Sequence, residues 1–291
     1  MVRLQTLTVA ERIRSKFETL TRAERQIANT MMENYPVSGL GSITAIADSS
    51  NASTATVVRL AKKLDFGGFP DIQVALRREV EATISSPITK HNQWADSAPD
   101  SHMLNRFAES VMENMRQTLH QIDPEEFNAV AVLLSDRKRH VYVVGGRITR
   151  ALADYFYTHM QMVRDGVTLL TSSSNTWSHN LLNMQSGDVL VMFDIRRYER
   201  DVLRLAELAR SRELELVLFT DQWGSPAAKF ASHSFHTRTE VPSAWDSSIM
   251  PLFIIESLTA AIQNLSWEES EDRMKALEVL LDETGMFRKF I

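Results

Sequence analysis

Three groups of residues in this chain have types and spacing suited to chemistry. The first is Ser53-Thr54-Ala55-Thr56, followed by Arg59, Lys62 and Lys63. Small hydroxyl residues let a backbone approach phosphates and base edges closely. Cations a turn further on are placed to reach phosphate oxygens or guanine. The second group is Asp194-Ile195-Arg196-Arg197-Tyr198-Glu199-Arg200-Asp201. Its guanidinium groups suit bidentate grip of phosphate or carboxylate, with Asp194 and Asp201 orienting them or binding hydroxyls or an amine. The third is Gly145-Gly146-Arg147-Ile148-Thr149, whose backbone amides and following helix start can point at an anion. Each group also has a plainer reading. Ser53 can simply cap a helix, the glycines can make a tight turn, Asp201 can cap the next helix, and the charged run can be a solvated rim.

Other chemistries find little support. The glycine loop lacks the spacing of a dinucleotide fingerprint or a Walker loop, so NAD and ATP are not expected, nor is any other cofactor. There are no cysteines, which excludes disulfides and thiolate metal sites. His233-x-x-His236 falls on an expected strand, where residues three apart face opposite ways, so no metal site is expected. No Gly-x-Ser-x-Gly is present, and no catalytic set is assigned.

The elements that must position these groups follow from periodicity. Ile13, Phe17 and Leu20 have helical spacing, and Thr21-x-x-Glu24 is a capping box opening a helix with Ile27, Ala28, Met31 and Met32 on its apolar face. That helix ends near Pro36. Residues 42–64 then read as two short helices joined by a polar turn, the build of a helix-turn-helix whose second helix enters the DNA major groove. Ile43, Ile46 and Ala47 can share a core with Val57, Leu60, Ala61 and Leu64. Ser53, Thr54, Thr56, Arg59 and Lys63 are left largely outward. Another amphipathic helix starts at Asp71.

Residues 86–100, with two prolines, several serines and no periodicity, read as a linker in which Trp94 can dock on a neighbouring surface. Beyond it, helices are expected from Ser101 to Gln121 and after Asp123-Pro124. Short apolar runs at Val141–Val144, Val167–Thr171, Val189–Phe193, Leu214–Thr220 and Ser234–Thr239 alternate with helical segments, which predicts a parallel sheet covered on both faces. Ligands then bind beyond the carboxyl ends of the strands, where the glycine loop and the charged run both fall. The segment Asp246 to Leu265 is apolar on much of its circumference and predicts a helix buried in the core or a subunit interface; one more helix is expected over Glu268 to Asp282.

Net charge is −5, yet residues 1–90 carry 12 Lys/Arg against 9 Asp/Glu. The remainder, 20 against 28, holds the negative excess. Phosphate contact needs local positive charge only. The charged N-terminus is unlike a signal peptide and no apolar run is long enough to span a membrane, so a soluble cytoplasmic protein is expected.

The stretch from Ser42 to Val80 resembles the N-terminal domain of RpiR-type (MurR/RpiR) bacterial transcription regulators. The matching features are Ala47, the Ser-x-Ala-Thr-Val-x-Arg run of Ser53 to Arg59, and Leu64-x-Phe-x-Gly-Phe at 64–69. Asp65 stands where the family usually has glycine. The later segments VYVVGGRITRALADYFYTHM, GDVLVMFDIRRY and LVLFTDQWGSP look like a SIS (sugar isomerase) domain. The resemblance implies an N-terminal all-α helix-turn-helix domain over 1–85 and a C-terminal α/β SIS domain over 101–291, its parallel sheet flanked by helices. It also implies that Gly145, Gly146 and Thr149 lie where the family's first loop meets a phosphosugar. Glu240 falls near an acidic ligand-contacting residue often supplied by the partner subunit. The Ser-x-Ser-Gly-x-Thr cradle usual after the later strand is replaced by Asp194-Ile195-Arg196-Arg197-Tyr198, so an anionic metabolite other than a phosphosugar also fits.

The expected function is a homodimeric or homotetrameric regulator reading double-stranded operator DNA, with a small anionic effector altering that binding. The rival is a SIS-type sugar-phosphate isomerase with a helical appendage, which leaves residues 1–85 without a role. Enediol chemistry needs a base over the substrate carbon, and the sequence offers only Glu240 or a histidine.

Overall fold

The computed structural model describes residues 7–90 and 102–286; most of the expected linker, including Trp94, lies outside them. The head is built from α1 (Val9–Lys16), α2 (Arg22–Glu33), α3 (Ile43–Ser49), α4 (Thr54–Lys63) and α5 (Phe69–Ile84). The capping box at Thr21 and Glu24 forms in both directions, and a second one, Thr8 with Glu11, opens α1. Ser53 caps α4, its hydroxyl accepting from the Thr56 amide at 3.2 Å. The turn between α3 and α4 passes through Asn51, which tolerates a left-handed φ of 49°. Ile27, Met31, Ile46, Val57, Leu60, Leu64, Ile72 and Leu76 close one core among these helices.

One helix boundary in the head differs from expectation for a local reason. The fifth helix begins at Phe69, ahead of Asp71, because Pro70 suits a first helical turn and Phe69 is buried. Asp71 instead turns back to accept from the Gly67 amide. Asp65, in the place of the usual glycine, has a φ of 62°. A side chain there is disfavoured, though aspartate is among the better tolerated.

The body comprises α6 (Met103–Gln121), α7 (Pro124–Ser135), β1 (Val141–Gly145), α8 (Arg150–Val163), β2 (Val167–Leu169), α9 (Trp177–Asn183), β3 (Val189–Phe193), α10 (Arg200–Arg210), β4 (Glu215–Asp221), β5 (His233–Thr237), α11 (Ile249–Leu265) and α12 (Trp267–Thr284). The strands form one parallel sheet in the order β2-β1-β3-β4-β5. Alternate side chains feed two cores. Val143, Val191, Phe193, Phe219 and Phe235 pack under α8 and α11, while Val144, Met192, Leu216 and Leu218 face the α9 and α10 side. The continuous apolar runs are continuous because both faces are covered.

The sheet's last strand ends at Thr237, so Arg238 and Thr239 lie outside it. Arg238 instead reaches the head. Its Nε donates to Glu11 Oε1 of α1 at 2.7 Å, and Gln121 at the end of α6 donates to the same oxygen at 2.9 Å. Burial pushes the Glu11 carboxyl up, but Arg238 and Gln121 hold it below its usual range. Beside it, Arg14 Nη2 donates to the Gln222 carbonyl at 2.9 Å. The last two helices divide the expected apolar character unequally. Ile254, Ile255, Leu258 and Ile262 bury α11, whereas α12 leaves Trp267, Val279 and Leu280 exposed. Among the described residues no single helix is long and apolar enough to cross a membrane.

Candidate functional site

Helix α4 is amphipathic, and its outward stripe is Thr54, Ala55, Val58, Arg59 and Lys62, with Ser53 exposed at its start. Arg59 keeps one N–H on the Thr56 hydroxyl at 3.1 Å and makes no ion pair with any described residue. Two residues expected outward are placed differently. Thr56 is buried, because it lies one turn before Leu60 and shares that residue's inward face. Lys63 is half-buried and its ammonium is already held by the Thr19 carbonyl at 2.6 Å and the Glu24 carboxylate at 3.0 Å. The cations left for a phosphate are Arg59 and Lys62.

A cleft of about 790 Å³ opens at the carboxyl end of the sheet. Gly146, Arg147, Ile148 and Thr149 form one wall, Asp194 to Arg197 another, and Ala244 to Ser248 a third. Ser85, Pro87 and Lys90, from the chain leaving the head, complete it. The Arg147 and Arg197 side chains are exposed and form no hydrogen bond or ion pair with any described residue. Arg197 has a left-handed φ of 60°, which carries the chain across the mouth of the cleft. Ile148 and Trp245, both more than half exposed, give the mouth an apolar rim.

The glycine loop is a strand-to-helix turn as well as a wall. A Cβ on Gly145 would lie 2.5 Å from the Thr149 carbonyl, and one on Gly146 would lie 2.6 Å from a Glu199 carboxylate oxygen. The Thr149 hydroxyl accepts from the Gly146 amide at 2.8 Å and donates to the Phe193 carbonyl at 2.7 Å. It ties two strand ends together and is not free for a ligand. The Arg147 amide is likewise taken by Glu199.

The charged run departs most from expectation. Its members divide: Asp194, Arg196 and Tyr198 turn inward to protein partners, while Arg197, Arg200 and Asp201 stay exposed. Asp194 is buried, accepts from the Ser225 hydroxyl, and has its carboxyl pushed up to about 6 by that burial. It touches neither arginine. The Arg196 side chain is 5% exposed. It stacks on the Trp223 ring at 4.2 Å, lies 3.1 Å from Asp246 and 3.4 Å from Glu240, and donates to the Ala82 carbonyl at 3.0 Å. Glu240 therefore faces Arg196 and is not among the residues lining the cleft, whereas Arg196 is. Asp201, in the first turn of α10, accepts from the Ser174 hydroxyl outside the cleft. Tyr198 turns inward, donating to Asp221 at 2.7 Å; burial holds its phenol well above the usual range. His233 and His236 join no cluster fit for a metal among the described residues.

A family model described as a helix-turn-helix domain of the rpiR family matches residues 7–83, and a SIS domain model matches residues 133–261. The chain belongs to the RpiR-type regulators. The HTH-type transcriptional regulator HexR of Escherichia coli (strain K12) is 24% identical over 295 residues, 98% of each chain. The sugar isomerase domain of an RpiR transcription factor from Sphaerobacter thermophilus is 24% identical, with a TM-score of 0.58 over 61% of this chain and 99% of that one. The Vibrio vulnificus NanR protein, complexed with ManNAc-6P, has a TM-score of 0.51 at 17% identity, covering 95% of this chain and 99% of that one. These structural likenesses establish the shared fold of the regulator.

Sequence reading of this RpiR-type chain passed over several residues that shape both sites. Val58 was legible, since it stands four residues from Thr54 and Lys62 on one helical face. Lys90, Trp245 and Asp246 carried no local signal, because they reach the cleft only through the tertiary fold.

Proposed function

We propose that this regulator reads double-stranded operator DNA through the outward stripe of α4 and takes a small anionic effector in the cleft at the sheet's carboxyl end. The observation that carries the reading is that stripe. Small residues at its leading turn allow close approach, the Val58 side chain suits a thymine methyl, and Arg59 and Lys62 face guanine or phosphate. In the cleft, Arg147 and Arg197 are the groups that grip the anion. That neither side chain has a partner among the described residues supports this, and so does the phosphosugar named with NanR. Trp245 and Ile148 cover the uncharged part of the ligand.

In this reading residues 1–85 form the DNA-binding unit, 86–100 the linker, and 101–291 the effector and oligomerisation unit. A homodimer or homotetramer in the cytoplasm reads a palindromic operator. Its recognition helices then stand about 34 Å apart or a multiple of that. The exposed apolar side chains of α12 are suited to contact between copies. The chain is a regulator and not an isomerase; a sugar-phosphate isomerase would leave the α4 stripe without a role.

Fluorescence anisotropy with DNA from upstream of the chain's own gene tests the reading, with unrelated DNA as control. Expected are preferential binding and an affinity that falls steeply as salt rises. Equal affinity for both DNAs at every salt concentration, or turnover in an aldose–ketose interconversion assay, overturns it. Arg147→Ala with Arg197→Ala is expected to leave DNA affinity unchanged in the absence of effector and to remove the effector response.

A further inference from the structure

The wall of the effector cleft contributed by residues 85–90 belongs to the chain leaving the DNA-binding head. Residues at that wall are held by a chain of charges running into the body. Lys90, itself buried, pairs with Asp246 Oδ1 at 2.6 Å. The other Asp246 oxygen faces Arg196 Nε at 3.1 Å, and Arg196 Nη2 faces Glu240 at 3.4 Å. The remaining guanidinium nitrogen, Nη1, donates to the Ala82 carbonyl in the last turn of α5 and lies 3.4 Å from the Ser85 hydroxyl. The Arg196 amide is fixed in turn by Asp221 at 2.7 Å. Two cations and two carboxylates thus balance, and one planar group spans the end of α5, the first residue of the connector and the loop after β3.

We propose that Arg196 is a positioning residue that couples occupancy of the effector cleft to the placement of the head, rather than a ligand of the effector. This rests on the cleft being the anion site. The guanidinium can donate to the α5 carbonyl and to Glu240 while facing Asp246 only with residues 85–90 lying against the cleft. A ligand touching that wall therefore has differential affinity for this arrangement and shifts the head toward it. An anion gripped by Arg147 and Arg197 adds charge beside Asp246, so Lys90 and Arg196 are the groups that must hold Asp246 in place when it arrives. Lysine at position 196 would keep the charge but lacks the fork that reaches a carbonyl and two carboxylates at once.

Hydrogen–deuterium exchange of the full chain separates these claims. In chloride buffer, Arg196→Ala and Asp246→Asn are expected to raise exchange at residues 79–90 at least fivefold. Peptides over β1 and β3 should stay at the wild-type rate and so report an intact body. Arg196→Lys should fall between. Unchanged exchange at 79–90 in both Arg196 variants overturns the proposal. Inorganic phosphate is then titrated as the probe anion. It is expected to protect residues 83–90 in the wild type and not in Arg196→Ala, while its affinity by calorimetry changes less than threefold. Wild-type protection in Arg196→Ala, or loss of phosphate affinity along with it, also overturns the coupling role. Failure of phosphate to bind the wild type counts against the cleft as an anion site, and leaves the chloride result to decide the role of Arg196.

Discussion

Arginine has opposite fates in two parts of this molecule. On α4, Arg59 stands outside, its only tie among the described residues a hydrogen bond to a threonine one turn back. In the irregular segments that follow β3 and β5 the arginine side chains are buried: Arg238 pairs with Glu11 of the head, and Arg196 pairs with Asp246 of the body while donating to the Ala82 carbonyl of the head. A helix fixes the direction of every side chain by phase alone, so an arginine opposite Val57, Leu60 and Ala61 must point to solvent. A loop imposes no such phase. There a guanidinium goes wherever carboxylates and helix-end carbonyls await it, and its destination is a property of the assembled fold.

The largest test of that contrast is Glu11→Ala. It removes the Glu11 carboxylate from a buried ion pair with Arg238, and breaking such a pair costs about 3–5 kcal/mol. A fall of that size in chemical denaturation is expected; a change below about 1 kcal/mol would show that the junction is dispensable. Arg59→Ala should do the reverse. Stability stays within about 0.5 kcal/mol, as for an exposed helix position, while operator affinity drops by about 1–3 kcal/mol in anisotropy titrations. Equal operator affinity would remove Arg59 from the reading face.

A third test concerns proton uptake. Burial lifts the Glu79 carboxyl to about 7; Tyr35 donates to it, as does the Val9 amide. The folded head holds this proton more tightly than the unfolded chain does. Its contribution is therefore fully present below about pH 4.5 and is lost as pH rises through 7. Glu79→Gln should flatten stability over that window, and an unchanged slope in denaturation series would place the titration elsewhere. The smallest effect is expected at the end of α4. Asp65→Gly relieves a left-handed φ but loses the exposed contact with Lys16, so the net change should stay within about 1 kcal/mol.

What the sequence revealed follows the same division. The capping box at Thr21, the N-cap at Ser53 and the stripe of α4 depend on neighbours within four residues, and β1, β3 and β4 announced themselves by apolar runs buried on both faces. The burial of Thr56 was available from its spacing to Leu60. The partners of Arg196 were not, for they come from α5, 114 residues earlier, and from Glu240 and Asp246 in the segment after β5. Glu11 could be read as a helix-capping acid, yet nothing near it in the chain announces Arg238, 227 residues further on. Charge spacing identifies a place where ions gather; only packing decides which of them remain free.

The stacking of Arg196 on Trp223 has a practical consequence. That indole is 2% exposed and lies against a cation, and an adjacent guanidinium perturbs the electrostatic field that sets indole emission. Phenylalanine at position 223 would keep the ring face while removing that signal. Subtracting the spectra of the two proteins would yield an optical gauge of the junction, read in solution without any added dye.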